Sequence, residues 1–475
     1  MLVRLVMKHS RWLPLLVLCT GFLLIVVDMT IVNVSLPSIG RDLRFTAGGL
    51  AWVINAYLVA FGGLLLLFGR LADLVGSKRV FMAGLAIFTV ASLACGLSPN
   101  QSILIAARFV QGVGGAACSA VILAMIVSMF PEQEEQAKAF GVFSFVASAG
   151  AAVGLVTGGV ITQVVSWHWI FFVNVPLGVG TAVLAQRMLP SGRGLGLRHG
   201  ADVLGAILVT AALMLGVYAI VAPSVPMGVL AVALLGGFVV RQARATRPIL
   251  PLRLFRSATL SGANSVQALM SASFLSFFFL ASLDLERVLA YTPLALGLGF
   301  LPVALVMGSF SIRFTAPLVM RFGAFRMAVA GQLVIVLALL ILALGPERAD
   351  YVRNLLLPMI LLGLGGGLCF PAVTMIGMSE ARPEDSGLAS GLINTSGQVG
   401  GALGLAVLAV VAATQTSALT RSGAGALAAL SGGFHMAWLV AAAFVVLTIG
   451  ITVATLRPRS PAMEAFAATD VEDAA

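Results

Sequence analysis

Residues 12–37 read WLPLLVLCTGFLLIVVDMTIVNVSLP, a run of 26 positions with one charged side chain, Asp28. About 20 predominantly apolar residues suffice for a helix to cross the hydrocarbon core. A secretory leader has a shorter core and a small-residue cleavage site, which this run lacks, so it is expected to stay as an uncleaved span. The rest of the chain has the same character. Of its 475 residues 60% are hydrophobic and 10% charged. A soluble chain of this size has too few interior positions for so much apolar surface. The sequence therefore reads as an all-α integral membrane protein.

Cutting at charged, proline and glycine clusters predicts fourteen spans, at 13–37, 50–69, 80–97, 102–129, 138–162, 168–188, 203–222, 226–240, 258–283, 293–320, 326–345, 354–378, 387–413 and 433–456. An even number puts both termini on one side, and the bias of basic residues toward cytoplasmic loops says which. With the N-terminus inside, the outer loops hold only Arg41, Arg44, Arg287, Arg348, Arg353 and Arg421, and Arg108 and Arg313 lie within spans. The other 20 of the 28 basic residues fall on inner loops and tails, five of them arginines between Arg241 and Arg256. Lysine is scarce (Lys8, Lys78, Lys138), as suits an arginine-rich, GC-rich bacterial coding sequence, and the expected location is the bacterial cell membrane.

The spans divide as six, two and six. The expected organisation is an N-terminal six-helix half (1–190), two extra transmembrane helices with a basic inner linker (191–256), a C-terminal six-helix half (257–457) and a disordered cytoplasmic tail (458–475). Halves of this kind are typical of transporters built from repeats. Gly69-Arg70-Leu71-Ala72-Asp73 has a weak counterpart in the segment Ala316 to Gly323.

Other functional classes lack their signatures. The net charge of +10 sits in loops as a topology signal rather than on a nucleic-acid-binding face. Cys19, Cys95, Cys118 and Cys369 lie in apolar runs without a C-x-x-C pair, so no disulfide or metal site is expected. No G-x-x-x-x-G-K-[ST] occurs, so no ATP site and no cofactor are expected. The four histidines are dispersed and form no catalytic signature, so the chain is not read as an enzyme.

Several motifs occur in a telling order. The first span carries Asp28-Met29-Thr30-Ile31-Val32-Asn33-Val34-Ser35-Leu36-Pro37. The loop Gly69 to Arg79 follows span two, Arg108-Phe109-Val110-Gln111-Gly112 lies in span four, and Gly141, Gly150, Gly154, Gly158 and Gly159 lie in span five. Trp167 to Phe171, Asn174-Val175-Pro176 and Gly387 to Gly391 come after. Across nearly the whole chain the set resembles the major facilitator superfamily, specifically the fourteen-span branch of drug:proton antiporters. The resemblance implies two six-helix halves around a central cavity, plus two extra central helices. It makes Gly69, Asp73, Gly76, Lys78 and Arg79 an inner gate motif and the five span-five glycines an antiporter motif. Leu74 stands where that family has a basic residue and Leu155 where it has proline.

Asp28 is the only carboxylate well inside an apolar run. By helical rise Asp28 lies on the order of 12 Å below the outer end of its span and Arg108 about 9 Å below the outer end of another, so the two sit at similar depth. A pair between them would offset the cost of burying both. Such a pair is either a fixed structural bridge or the site of proton and cationic-substrate coupling. Arg108, Gln111, Gly112, Gly115 and Ser119 share one helix face, either a cavity wall or a tight contact. Asn33, Gln111, Asn55 and Tyr57 are the candidate cavity lining. Gly150, Gly154 and Gly158 follow the small-xxx-small pattern of close helix packing; the resemblance links them to antiport. Asp73, Lys78 and Arg79 are either solvated or an inner gate. Asp284, Glu286 and Arg287 read as a solvated outer rim, or else as a cation-attracting vestibule. Arg313, about 10 Å from the inner end by the same rise, has no acid nearby in sequence.

The sequence thus predicts a proton-coupled exporter of small lipophilic compounds, cationic ones included, such as drugs or antibiotics. The rivals are an exporter dedicated to one natural product and a membrane receptor or enzyme without transport. The expected partners are the small-molecule substrate, protons and the lipid bilayer, not nucleic acid, with the monomer as the working unit. The topology is open to direct measurement. A cysteine placed at Arg253 should react with an impermeant thiol reagent only from inside, and one at Asp350 only from outside. Labelling of position 350 from inside would refute the count of spans.

Overall fold

A computed structural model describes residues 2–190, 194, 196, 202–245, 248–346, 350–379 and 386–457. Helices account for nearly all of them, and no strand occurs among the described residues. They are α1 (Leu2–Asp42), α2 (Ala47–Leu50), α3 (Trp52–Val75), α4 (Ser77–Gly96), α5 (Gln101–Met129) and α6 (Gln133–Val164), then α7 (Trp169–Phe172), α8 (Asn174–Met188), α9 (Val203–Val221) and α10 (Val225–Arg244). There follow α11 (Ala258–Arg287), α12 (Pro293–Phe310), α13 (Ala316–Phe322), α14 (Ala324–Ala343), α15 (Leu356–Ser379), α16 (Ser386–Arg421) and α17 (Ala426–Thr455). In lipid every backbone polar group must be satisfied internally, and helices do this without an edge.

Among the described residues, 13 helical segments are long and apolar enough to cross a membrane. The helix at the fifth expected span is α6, whose apolar stretch is the shorter Ala149–Val164. The eighth span is longer than expected, filling Val225–Arg244. The tenth is not continuous: a π-helical turn at Ser311–Thr315 separates α12 from α13. The tail after residue 457, Arg247, Arg348 and the segment 380–385 lie outside the described residues.

Two sets of helices repeat one packing scheme. Helix α1 packs on α6 as α11 packs on α16, α4 on α5 as α14 on α15, and α3 on α5 as α12 on α15. Glycines mark the crossings. Gly84 of α4 and Gly114 of α5 meet backbone to backbone, and a Cβ on Gly114 would lie 2.7 Å from the Gly84 carbonyl. In the other set, a Cβ on Gly365 would lie 2.7 Å from the Gly331 carbonyl. The turns before α4 and α14 also match, with Gly76 at φ 100° and Gly323 at φ 85°, a conformation that disfavours any side chain. Gly84 follows Gly76 by eight residues, as Gly331 follows Gly323. Gly112-Val113-Gly114-Gly115 is matched by Gly363-Leu364-Gly365-Gly366, which places Met359 and Leu362 where α5 has Arg108 and Gln111. The two sets are joined by α6 against α12 and α3 against α16. Such close approach replaces the hydrophobic drive that is absent between helices in lipid.

The hairpin α9–α10 lies over this join, with α9 touching α3 and α16 and α10 packing mainly on α9. A cleft of about 810 Å³ lined by Leu64, Ile105, Phe109, Ile207 and Met214 separates α9 from α5. Asp202 staples the hairpin at its base. Its side chain caps α9 by accepting from the Gly205 N–H at 3.0 Å, and it accepts from Arg241 Nε at 2.9 Å and Gln242 Nε2 at 2.7 Å. Gln242 in turn accepts from the Leu250 N–H at 3.1 Å. Burial alone would raise the Asp202 carboxyl, but the Gly205, Gln242 and Arg241 hydrogen bonds and the Arg241 charge outweigh it and hold it below its usual 3.8. A carboxyl lowered on folding stabilises above its unfolded value and loses that contribution as pH falls through its folded value. Asp202→Asn should therefore cost about 1 kcal/mol at neutral pH, with a smaller penalty below about pH 4. Thermal unfolding of both proteins across that range checks it, and a penalty independent of pH would contradict the charge argument.

Candidate functional site

Asp28 lies about two thirds of the way along α1 and Arg108 two turns into α5, and both are fully enclosed, at 0% and 1% exposure. Neither charge could stay buried alone at this depth. Arg108 Nη1 donates to Asp28 Oδ2 at 2.6 Å and to Gln111 Oε1 at 2.6 Å, and Arg108 Nε donates to the Val53 carbonyl at 2.9 Å. The guanidinium stands 4.5 Å over the Tyr57 ring, a cation–π contact that needs no further polar partner. Asp28 Oδ1 accepts from Gln111 Nε2 at 2.7 Å and from Asn174 Nδ2 at 3.1 Å. Gln111 Nε2 also donates to Ser92 Oγ at 2.8 Å, and Cys95 Sγ lies 3.6 Å from Gln111 Oε1.

The carboxylate thus receives donors from α5 and α8, and Gln111 extends the network to α4. Sequence reasoning anticipated the Asp28–Arg108 contact from depth, and the structure brings Gln111 into the same cluster. Asn174, in the Asn174-Val175-Pro176 motif, joins the site as well, although an uncharged amide gives no depth argument of the kind that pairs Asp28 with Arg108. Ser92, Cys95 and the Val53 carbonyl carried no local signal.

The other candidates fall in different places. Tyr57 is 1% exposed, with its ring beneath Arg108 and its hydroxyl unpartnered against Gly115. Asn55 is fully buried with neither amide atom hydrogen-bonded. Asn33 donates to the Met29 carbonyl at 2.7 Å and leaves its own oxygen free. Beside Asp28, the glycines of α6 clamp α1: a Cβ on Gly150 would come within 2.6 Å of Leu23, one on Gly154 would strike Thr30 Oγ1, and one on Gly158 would lie 2.8 Å from Ile31. Gly159 faces the other way, with its Cβ position 2.6 Å from the Pro293 carbonyl on α12. Gly141 belongs to α6, but its surroundings lie outside what is described. Leu155, at the proline position, is buried and offers its carbonyl to Gly297 of α12.

At the end of the bundle that holds both termini, Lys78 Nζ donates to the Gln186 and Leu189 carbonyls at 2.8 and 2.9 Å, capping α8. Arg79 donates to the Val75 carbonyl at 3.3 Å. Asp73 is exposed and pairs with Arg70 at 3.6 Å, and Gly69 has open space around it. Leu74 is buried, and its carbonyl accepts from the Gly196 N–H at 2.9 Å.

At the opposite end the solvated-rim reading does not hold. Helix α11 continues past residue 283 to Arg287, which draws Asp284 into the packed bundle at 4% exposure. Glu286 pairs with Arg41 of α1 at 2.9 Å, and Gln163 Oε1 accepts from the Leu294 N–H at 3.1 Å. Both contacts bridge the two helix sets. Among the described residues no group of three His, Cys, Asp or Glu side chains is placed to hold a metal.

Two repeated sets of membrane-length helices, one of them enclosing a buried charge cluster, are the architecture of a multi-pass membrane transporter. The chain belongs to the Major Facilitator Superfamily, whose family model matches residues 18–405. It is 37% identical to the cephamycin export protein CmcT of Amycolatopsis lactamdurans, over 94% of this chain and 92% of that one. It is 36% identical to the puromycin resistance protein pur8 of Streptomyces alboniger, over 93% and 90% of the two chains. A bacterial homolog of the human lysosomal transporter Spinster, solved inward-facing and unoccupied, shares the fold at a TM-score of 0.70 and 15% identity, covering 96% of this chain and 99% of its own. The chain is accordingly a transporter and not an enzyme, of a family that typically needs no cofactor.

The α1–α6 clamp gives a prediction. Gly154→Leu should abolish transport while membrane-inserted protein remains detectable, because the Thr30 side chain and the Val27 carbonyl, 3.1 Å from the Cβ position, leave no room. A fully active Gly154→Leu protein in a vesicle efflux assay would rule out the clamp.

Proposed function

We propose that this chain exports small lipophilic molecules of the antibiotic type in exchange for protons, with Asp28 as the proton site and Arg108 as the group that answers it. The observation that carries the reading is the geometry around the carboxylate. Oδ2 accepts from Arg108 at 2.6 Å, while Oδ1 is engaged by Gln111 and Asn174. A proton arriving on Oδ2 would turn an acceptor into a donor facing an N–H, and would remove the negative charge that compensates Arg108. The guanidinium must then move toward its remaining partners, Gln111 Oε1 and the Val53 carbonyl on α3. That shift links the charge on α1 to α3, one of the helices that meets the other half.

In this reading the two six-helix halves rock about a midplane site. The end carrying Arg41–Glu286 and Gln163–Leu294 faces outward and is closed, both termini are cytoplasmic, the membrane is the bacterial cell membrane, and the monomer suffices. The relatives support the substrate class: one is an export protein for cephamycin, another a resistance protein for puromycin. The same relatives favour a second reading, an exporter dedicated to one natural product. A panel of chemically unrelated antibiotics and dyes separates the two, since a dedicated exporter moves only one class.

Coupling is tested in inverted vesicles with and without a pH gradient. Asp28→Asn should lose gradient-driven export, because an amide takes up no proton. Arg108→Ala should lose it as well, and should destabilise the fold by roughly 3–5 kcal/mol, as breaking a buried pair does. The double variant Asp28→Asn with Arg108→Gln removes both charges. If its export is driven by a pH gradient as that of the unmodified chain is, the pair is a structural bridge and the coupling role is wrong.

A further inference from the structure

Arg313 sits in the π-helical turn Ser311–Thr315, within a segment that otherwise crosses the membrane. Turns of this kind re-aim a side chain and concentrate at functional positions. Arg313 is exposed, and among the described residues it has no carboxylate or hydrogen-bond partner. It ends a row of exposed positions on one face of the segment. Leu298 at 48% and Leu305 at 55% precede Ser309 and Arg313, and Phe314 beside it is 50% exposed. Large apolar side chains exposed along a membrane-crossing helix face acyl chains. The opposite face, through Val303 and Met307, is taken by Gly363 and Gly367 of α15.

An arginine among lipid chains reaches toward the headgroup layer to keep its charge solvated. Arg313 lies nine residues before the end of α13 at Phe322, roughly 13 Å at 1.5 Å per residue. Further along the chain in that direction stand two more exposed cations, Arg321 in the last turn of α13, its guanidinium 5.2 Å over the Phe322 ring, and Arg326 in the first turn of α14. From residue 288 to 346 the chain has no Asp or Glu. No carboxylate within this stretch is available to them.

We propose that Arg313, with Arg321 and Arg326, forms a binding site for the phosphate of an anionic phospholipid on the outer face of α12–α13. The match is one of charge and position: an exposed guanidinium in the π turn, further cations toward the bilayer surface, and an apolar strip of Leu298, Leu305 and Phe314 to receive an acyl chain. Basic pockets on membrane helices bind lipid headgroups by this chemistry. The site is independent of the Asp28 cluster and does not rest on the coupling proposal.

The test is native mass spectrometry of the full chain in detergent with added phosphatidylglycerol or phosphatidylcholine of equal acyl chains. The unmodified chain should retain phosphatidylglycerol several-fold over phosphatidylcholine. Arg313→Gln should abolish that preference and Arg313→Lys keep part of it, while glycerol phosphate in excess should not displace the lipid. Equal retention by the unmodified chain and Arg313→Gln would overturn the site. Displacement by glycerol phosphate would show a small-anion site instead and overturn the assignment to lipid. Should Arg313→Gln fail to fold, photo-crosslinking of the unmodified chain with a phosphatidylglycerol probe decides the matter: adducts within residues 298–326 support the site, and adducts only elsewhere reject it.

Discussion

A carboxylate at the depth of Asp28 has to be neutralised from within the protein, because the surrounding medium offers neither water nor counterions. Much of the N-terminal half is arranged around that requirement. Arg108 supplies the charge, Gln111 and Asn174 fill the acceptor capacity that remains, and the ring of Tyr57 and the Val53 carbonyl hold the guanidinium in place. The helices bearing these groups must approach closely, and the glycines of α5 and α6 let them. Gly112 admits the backbone of α3 at Tyr57, and the α6 stripe presses on α1 beside Asp28. Replacing either set with larger residues would move the charges apart before touching any of them.

Much of this was legible in the sequence. The spans followed from hydropathy because the bilayer imposes one length on every element. The Asp28–Arg108 contact followed because two lone charges at like depth on different helices have few ways to be buried. What the sequence hid is equally physical. Ser92 joins the network, whereas Thr89 one turn away bonds only the Leu85 carbonyl of its own helix. A hydroxyl in an apolar helix looks the same in both roles. The π turn at Ser311–Thr315 changes hydrogen-bond register without changing composition, so the tenth span read as one helix. Asp284 was placed at a rim because charge usually ends a span, yet α11 carries it inside the packed end.

The departures from the family pattern also have local reasons. Leu74, where a basic side chain is usual, is buried, and its carbonyl is engaged by the Gly196 N–H. Lys78 fastens that region to the end of α8. Leu155, where proline is usual, turns its carbonyl toward Gly297, so the junction with α12 is made by backbone contact.

The glycines shared by α5 and α15 show two copies of one backbone scheme with opposite electrical contents. Where α5 presents Arg108 and Gln111 to α1, α15 has Met359 and Leu362, and its contacts with α11 include the aromatic pair Phe274–Phe370 at 5.2 Å. One crossing is held by a compensated ion pair and the other by apolar packing. Adding or removing a proton can therefore unbalance the α1–α5 crossing and has no ion pair to unbalance where Met359 and Leu362 stand. The molecule is symmetric as a mechanical frame and one-sided in where a chemical trigger can reach it.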